Sequence, residues 1–166
     1  MPITTTPTIT MSTDPADRPE EIDPHTMKVE ANLDDVSGEL LGYAMDKLFD
    51  AGALDVYYVP IYMKKNRPAV ILTVLCRVET LPAIRELIFR ETTTLGLRYS
   101  PLTVHRLERR FRRVSTRWGT VRIKTGFYGG EVVQEAPEYE DCKQIAEANG
   151  VALKEVFAEV WRLIGT

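Results

Sequence analysis

Met63-Lys64-Lys65-Asn66-Arg67-Pro68 sets three cations and an amide between two apolar runs, Leu54 to Tyr62 and Ala69 to Cys76. Both runs are rich in Val, Ile, Leu and Tyr, which predicts two strands meeting at the tip of a β-hairpin. The link lacks the Asn-Gly or Asp-Gly of the tightest hairpins. Pro68 has no N–H to give to a ladder and suits the mouth of the second strand. Like charges crowded onto one short connection repel, and a polyanion would relieve that repulsion. A solvated loop is the plain alternative, because Lys and Arg are ordinarily exposed.

Three other constellations could do chemistry. Glu30, Asn32, Asp34 and Asp35, with Glu39 a turn later, offer hard oxygen ligands at the end of a strand. Such a set suits Mg2+ or Mn2+, which would in turn neutralise a triphosphate. Helix capping and dipole compensation account for Asp34, Asp35 and Glu39 without a metal, but not for Glu30 or Asn32. Arg90-Glu91-Thr92-Thr93-Thr94-Leu95-Gly96-Leu97-Arg98 is a hydroxyl-lined turn with an arginine at each end. It could bind phosphate oxygens through charge-assisted bonds, and Gly96 would let the backbone approach a ligand closely. Its hydroxyls could equally bond carbonyls freed at a helix end. In the fold plan below, this turn and the first strand's exit are expected on different edges of the sheet. Finally, Ala136-Pro137-Glu138-Tyr139-Glu140-Asp141-Cys142 reads as an acidic helix start, and acidic neighbours argue against a Cys142 thiolate.

The elements that must position these groups follow from periodicity. Val29, Ala31 and Leu33 alternate with Glu30, Asn32 and Asp34, the pattern of a half-buried strand beginning near Lys28. Ser37 is a plausible N-cap for a helix whose stripe is Leu40, Leu41, Ala44, Met45, Leu48 and Phe49, with Gly52 as its stop. After the hairpin, Pro82 opens a second helix with Leu81, Ile84, Leu87 and Ile88 inward, and a strand follows from about Leu97 to Leu107. The order strand, helix, strand, strand, helix, strand is a ferredoxin-like βαββαβ plan. From Glu108 a smaller α+β unit is expected. Its hairpin turns at Trp118-Gly119, glycines 126, 129 and 130 loosen the next connection, and Val132-Val133 adds a short strand. Two helices close it, one from about Tyr139 to Ala148 and a last one striped by Leu153, Val156, Phe157, Val160, Trp161 and Ile164. The fold class is therefore α+β, divided as 1–27 tail or linker, 28–107 ferredoxin-like subdomain and 108–166 small subdomain.

With 166 residues the chain can bury a real core, and 44% hydrophobic with 27% charged residues is ordinary for a soluble protein. A net charge of −3 gives no global case for nucleic acid. The arginine run 106, 109, 110, 112, 113 and 117 is interrupted by Leu107, Phe111 and Val114 and reads as a solvated or inter-subunit face. Cys76 and Cys142 suggest no disulfide framework. Neither a membrane-length apolar stretch nor a secretory signal is visible, so a cytoplasmic location is the default. His25 and His105 stand alone, without metal-ligand spacing.

Together the four polar segments resemble the nickel insertion proteins of nickel-pincer cofactor biosynthesis, the LarC type. The family's Glu-Thr-Asn-Ile-Asp-Asp is matched at Glu30, Asn32, Asp34 and Asp35, with Ala31 in place of Thr and Gly38 where Pro is common. Met-Lys-Lys-x-Arg-Pro stands intact at Met63 to Pro68, Glu-Thr-Thr-Thr-x-Gly-x-Arg at Glu91 to Arg98, and Ala-Pro-Glu-Tyr-x-Asp-Cys at Ala136 to Cys142. The likeness covers residues 28 to 163 and implies the C-terminal part of such a protein, whose further N-terminal domain would be needed for the full reaction. It implies a CTP-dependent cyclometallase of the lyase class. That enzyme inserts Ni2+ into pyridinium-3,5-bisthiocarboxylic acid mononucleotide, with CTP cleaved to CMP and diphosphate, in the maturation of lactate racemase. Lys64, Lys65 and Arg67 would then be catalytic. These three, with Asn66, Arg90, Thr92, Thr93, Thr94 and Arg98, would bind CTP, and Asp34, Asp35, Glu30 and Asn32 would hold Mn2+ or Mg2+. A homo-oligomer, trimer or hexamer, is implied. The competing class is a non-catalytic ferredoxin-like module that senses a ligand or binds RNA.

Overall fold

The structure, a computed structural model, describes residues 14–165. The elements are β1 (Glu21–Leu33), α1 (Gly38–Asp50), β2 (Asp55–Met63), a 3-10 turn (Lys64–Asn66), β3 (Arg67–Arg77), α2 (Leu81–Glu91), β4 (Arg98–Arg106), β5 (Glu108–Thr116), β6 (Gly119–Tyr128), β7 (Glu131–Pro137), α3 (Tyr139–Asn149) and α4 (Leu153–Ile164). They form two compact units, Ile22–Val104 and one that joins the segment ending at Glu21 to the segment starting at His105.

In the first unit the sheet order is β2-β3-β1-β4, with two helices connecting its strands, so the α+β ferredoxin-like plan is present. Alternation along β1 sends Met27, Val29, Ala31 and Leu33 into a core shared with Leu48 of α1, Leu72 and Val74 of β3, and Ile84 and Ile88 of α2. Burying each such aliphatic side chain is worth about 1.5–3 kcal/mol. The same alternation leaves Lys28, Glu30 and Asn32 on the opposite face. Ser37 caps α1, its hydroxyl accepting from the Leu40 N–H at 3.3 Å. Pro60 sits in β2, an edge strand that tolerates a missing donor.

Two boundaries differ from expectation. Residues up to 27 were expected as a tail, and 1–13 lie outside the described residues, but β1 already begins at Glu21. Two of the polar residues there, Asp23 and Thr26, are buried and paired rather than solvated. Buried Asp23 accepts from the His25 N–H at 2.8 Å, from the Thr26 hydroxyl at 3.0 Å and from Arg77. Before it, Arg18 exchanges both backbone hydrogen bonds with Arg109 at 2.8 and 2.7 Å. In the second unit the expected hairpin and the short strand expected at Val132-Val133 form one three-stranded sheet, β5-β6-β7. Gly129 and Gly130, at φ 59° and 84°, do not loosen the chain but close a two-residue turn pairing Tyr128 with Glu131. Behind this sheet, Val114, Val121, Ile123, Cys142, Ala146, Val156 and Val160 make a separate core.

Candidate functional site

β1 and β2 both run antiparallel to β3, so the exits of β1 and β2 and the entry to β3 share one edge of the sheet. The turn after α2 comes to that edge too, because Thr93 donates to the Asp35 carboxylate. This overturns the expectation that the threonine turn and the β1 exit lie on different edges. The physical reason is directional. Each helix returns the chain to the edge its preceding strand left, so β1, β2 and α2 all finish together.

The hairpin tip is tighter than its sequence suggests. Met63 pairs with Arg67, leaving only Lys64, Lys65 and Asn66 to turn the chain. Lys65 (φ 63°) and Asn66 (φ 55°) are left-handed. Asn tolerates this conformation, but for Lys it costs about 1 kcal/mol or more. Strain of this kind at an exposed tip is a pointer to function. The side chains of Lys64 and Lys65 are exposed and make no ion pair or hydrogen bond with a described residue.

The remaining site residues divide into those the fold gathers and those it does not. The Arg67 guanidinium donates to the Asp34 carboxylate at 2.9 Å, with 52% of the Arg67 side chain exposed. At that exposure the pair contributes about 1 kcal/mol at most. Arg98, at the entry to β4, reaches back across β1. Its Nε donates to Glu30 Oε2 at 3.0 Å and its Nη1 to Asn32 Oδ1 at 3.0 Å. Lys28 holds the other Glu30 oxygen at 3.1 Å. The Lys28 hydrogen bond, and behind it Arg98, keep the Glu30 carboxyl below the usual carboxylate range. Arg90 instead pairs along α2 with Glu86 at 2.8 Å. The Thr92 hydroxyl donates to the Ile88 carbonyl at 2.6 Å and serves the helix end, and that of Thr94 donates to the Gly96 carbonyl at 2.7 Å within the turn that follows. Lys28 belongs to none of the motifs, although its even spacing from Glu30 and Asn32 puts it on their face.

The donor set can be tested against a dication. Among the described residues no three His, Cys, Asp or Glu are grouped as a metal cage. Glu30 already has both oxygens engaged by cations. Asp34 and Asp35 remain as two adjacent carboxylates, each held by a single contact. Two carboxylates completed by phosphate oxygens and water is the usual arrangement for Mg2+, so they fit an ion that arrives with a nucleotide.

In the second unit several arginines are answered locally. Arg112 forks onto Glu135 at 3.0 and 3.1 Å, and Arg122 onto Asp141 at 2.9 and 2.8 Å. Arg117 lies 4.0 Å from the Trp118 ring centroid. Cys142 is buried, and desolvation, reinforced by Asp141 and Glu138, pushes its thiol up to about 11. It stays protonated at neutral pH and is no nucleophile.

The family model described as nickel insertion protein matches residues 8–157. The chain belongs to the nickel insertion protein family. It is 45% identical over 136 residues to a pyridinium-3,5-bisthiocarboxylic acid mononucleotide nickel insertion protein of Thermotoga petrophila, covering 82% of this chain and 34% of that one. A protein of the same description from Acetivibrio thermocellus is 43% identical over 145 residues, 87% of this chain and 35% of its own length. The chain thus spans about a third of the curated relatives it matches. Among solved structures it resembles LarC2 in its apo form, the C-terminal domain of a cyclometallase involved in synthesis of the NPN cofactor of lactate racemase. That likeness has a TM-score of 0.81 at 39% identity and covers 88% of this chain and all of that one. Protein MK0293 of Methanopyrus kandleri gives a TM-score of 0.62 at 30% identity, over 84% and 86% of the two chains. No helix among the described residues is long and apolar enough to cross a membrane.

Proposed function

We propose that this nickel insertion family chain seats CTP with a dication at the shared edge of its four-stranded sheet. The bound nucleotide would serve insertion of nickel into pyridinium-3,5-bisthiocarboxylic acid mononucleotide by the longer protein. One observation carries the reading: three separate connections deliver Lys64, Lys65 and Arg67, then Asp34 and Asp35, then Thr93 and Arg98 to that one edge. The choice of CTP over other triphosphates comes from the family resemblance. Lys64, Lys65, Arg67 and Arg98 clamp the phosphates and stabilise charge developing on their oxygens as the α–β bond breaks. Arg90 joins them only by leaving Glu86. Asp34 and Asp35 take the dication, directly or through its water, and the ion when bound neutralises phosphate charge. Glu30 and Asn32 stand one step behind, holding Arg98. Nickel is substrate, carried by the sulfur and carbon ligands of the pyridinium product rather than by His25 or His105.

Thermal unfolding with CTP, ATP or GTP in the presence of Mn2+ tests this. A nucleotide at a hundred times its Kd stabilises the folded chain by about 2.7 kcal/mol, a melting shift of several degrees. A CTP-selective rise is expected. Equal or absent shifts for all three would return the chain to the sensing or RNA-binding class.

A further inference from the structure

Ala136 to Cys142, the fourth of the family's segments, lies in the second unit and has no part in the nucleotide edge. An acid near a helix start is favoured by the dipole without any particular partner. Asp141 does more than that. From the first turn of α3 its carboxylate accepts from the Arg122 backbone N–H at 2.9 Å and, by a fork, from Nε and Nη2 of the same guanidinium at 2.9 and 2.8 Å. Arg122 is thereby fixed, with its Nη1 outside the fork. Directly across the ladder stands Arg113, on the same face of the sheet. Like charges opposite each other on neighbouring strands repel, and one carboxylate answers only one of them. Arg113 is exposed, makes no hydrogen bond or ion pair with a described residue, and reaches Asp141 only through its charge.

The two arginines open onto a cleft of about 430 Å3 inside the second unit, within the size range of small-ligand sites. Trp118, Thr120, Asp141 and Gln144 line it with them. Trp118 is half-buried against the core, and its ring already draws one cation, Arg117, at 4.0 Å. The cleft thus combines an aromatic ring suited to a cation, a carboxylate, an unneutralised guanidinium and uncharged hydrogen-bonding groups. A plain polyphosphate fits this poorly, because Asp141 repels it and the ring offers it nothing. A planar cation with anionic arms satisfies both signs at once. Resting on the family's substrate as read above, we propose that this cleft is the seat of the pyridinium mononucleotide. The pyridinium ring lies against Trp118, its thiocarboxylates take Arg113 and the Nη1 of Arg122, and the ribose hydroxyls meet Gln144 and Thr120. The acceptor of nickel and CTP are then held by different units of the chain.

Calorimetric titration of the 166-residue chain with pyridinium-3,5-dicarboxylic acid mononucleotide, the oxygen analogue of the substrate, tests the seat without CTP or metal. The analogue should bind at least about tenfold more tightly than CMP, which carries the same ribose phosphate on an uncharged ring. Arg113→Ala should weaken it about tenfold or more, with Arg113→Lys recovering part of the loss and neither changing the melting temperature of the free chain. Trp118→Leu should weaken it about three- to tenfold. In Trp161→Phe, Trp118 is the remaining tryptophan, and its emission should change as the site fills. Absence of saturable binding overturns the seat, as does equal affinity for CMP or binding that Arg113→Ala leaves unchanged. Displacement by CTP together with indifference to Arg113→Ala puts the mononucleotide at the sheet edge and overturns it too. The CTP-selective melting rise is measured beside these. If that rise persists where mononucleotide binding fails, the cleft falls alone; if it is absent where mononucleotide binding holds, the sheet edge falls alone.

Discussion

Cations are concentrated in both units, and the two concentrations are spent in opposite ways. Along β5, β6 and the turn between them, four guanidiniums are forked onto acids or laid over rings: Arg112 on Glu135, Arg122 on Asp141, Arg117 on Trp118, Arg110 over Phe127. At the edge of the first unit, Lys64 and Lys65 are exposed without partners among the described residues, on a backbone that one of them strains, and Arg67 is held by one carboxylate. The difference teaches that counting positive side chains does not locate an anion site. What matters is whether the fold has already neutralised them.

The largest effect should come from removing the unneutralised charges. Lys65→Ala and Arg67→Ala should each weaken CTP binding in Mn2+ about a hundredfold, the scale of a lost charge-assisted bond to phosphate, with little change in the melting temperature of the free chain. Arg110→Ala and Arg117→Ala should leave the affinity within about twofold, because those cations are committed elsewhere. Equal losses on both units, measured by the same titration, would erase the contrast.

The reverse experiment should move stability and leave binding alone. Arg122→Ala strands a half-buried Asp141 carboxylate that also accepts from the Arg122 backbone N–H, and should cost about 1–3 kcal/mol in denaturant unfolding. The acid limb carries the same information. Arg122 holds the Asp141 carboxyl below its usual range and Arg112 does so for Glu135. A carboxyl lowered by folding contributes its stability in full above the unfolded value of about 4, and that contribution drains as pH falls through the folded value. Asp141→Asn should therefore flatten part of the stability loss below pH of about 4 without altering CTP affinity at neutral pH.

Much of the fold was legible because it rests on local signals. The stripe Leu40 to Phe49, the Ser37 cap, Pro82 and the two apolar runs each announce their element within a few residues. What hid was decided by contacts distant in sequence. Asp23 and Thr26 read as a solvated tail until Arg77, 54 residues on, is seen to pair with Asp23. Glu30 and Asn32 look like oxygen ligands until β4 lies beside β1 and brings Arg98 between them. Thr92 and Thr94 look like phosphate donors as readily as Thr93, and only the geometry of the helix end and of the turn beyond it shows that Thr92 and Thr94 are spent on carbonyls. Types and spacing nominated the segments, but neutralisation is a property of three dimensions.

The smallest effect is also the most discriminating, because the comparison predicts a sign. If Lys65 is kept for a ligand at the expense of the fold, replacing it with a residue that accepts a left-handed backbone should help the fold and harm the ligand. Lys65→Asn removes a charge from between Lys64 and Arg67 and places a tolerant side chain at φ 63°. Stability in denaturant should rise by about 0.5 kcal/mol while CTP binding falls. Glycine would be a poorer probe, since its greater freedom in the unfolded chain offsets the relieved strain. A loss of stability in Lys65→Asn would mean that the lysine serves the hairpin itself, and the exposed edge would then be neutralised by its own fold in the manner of β5 and β6.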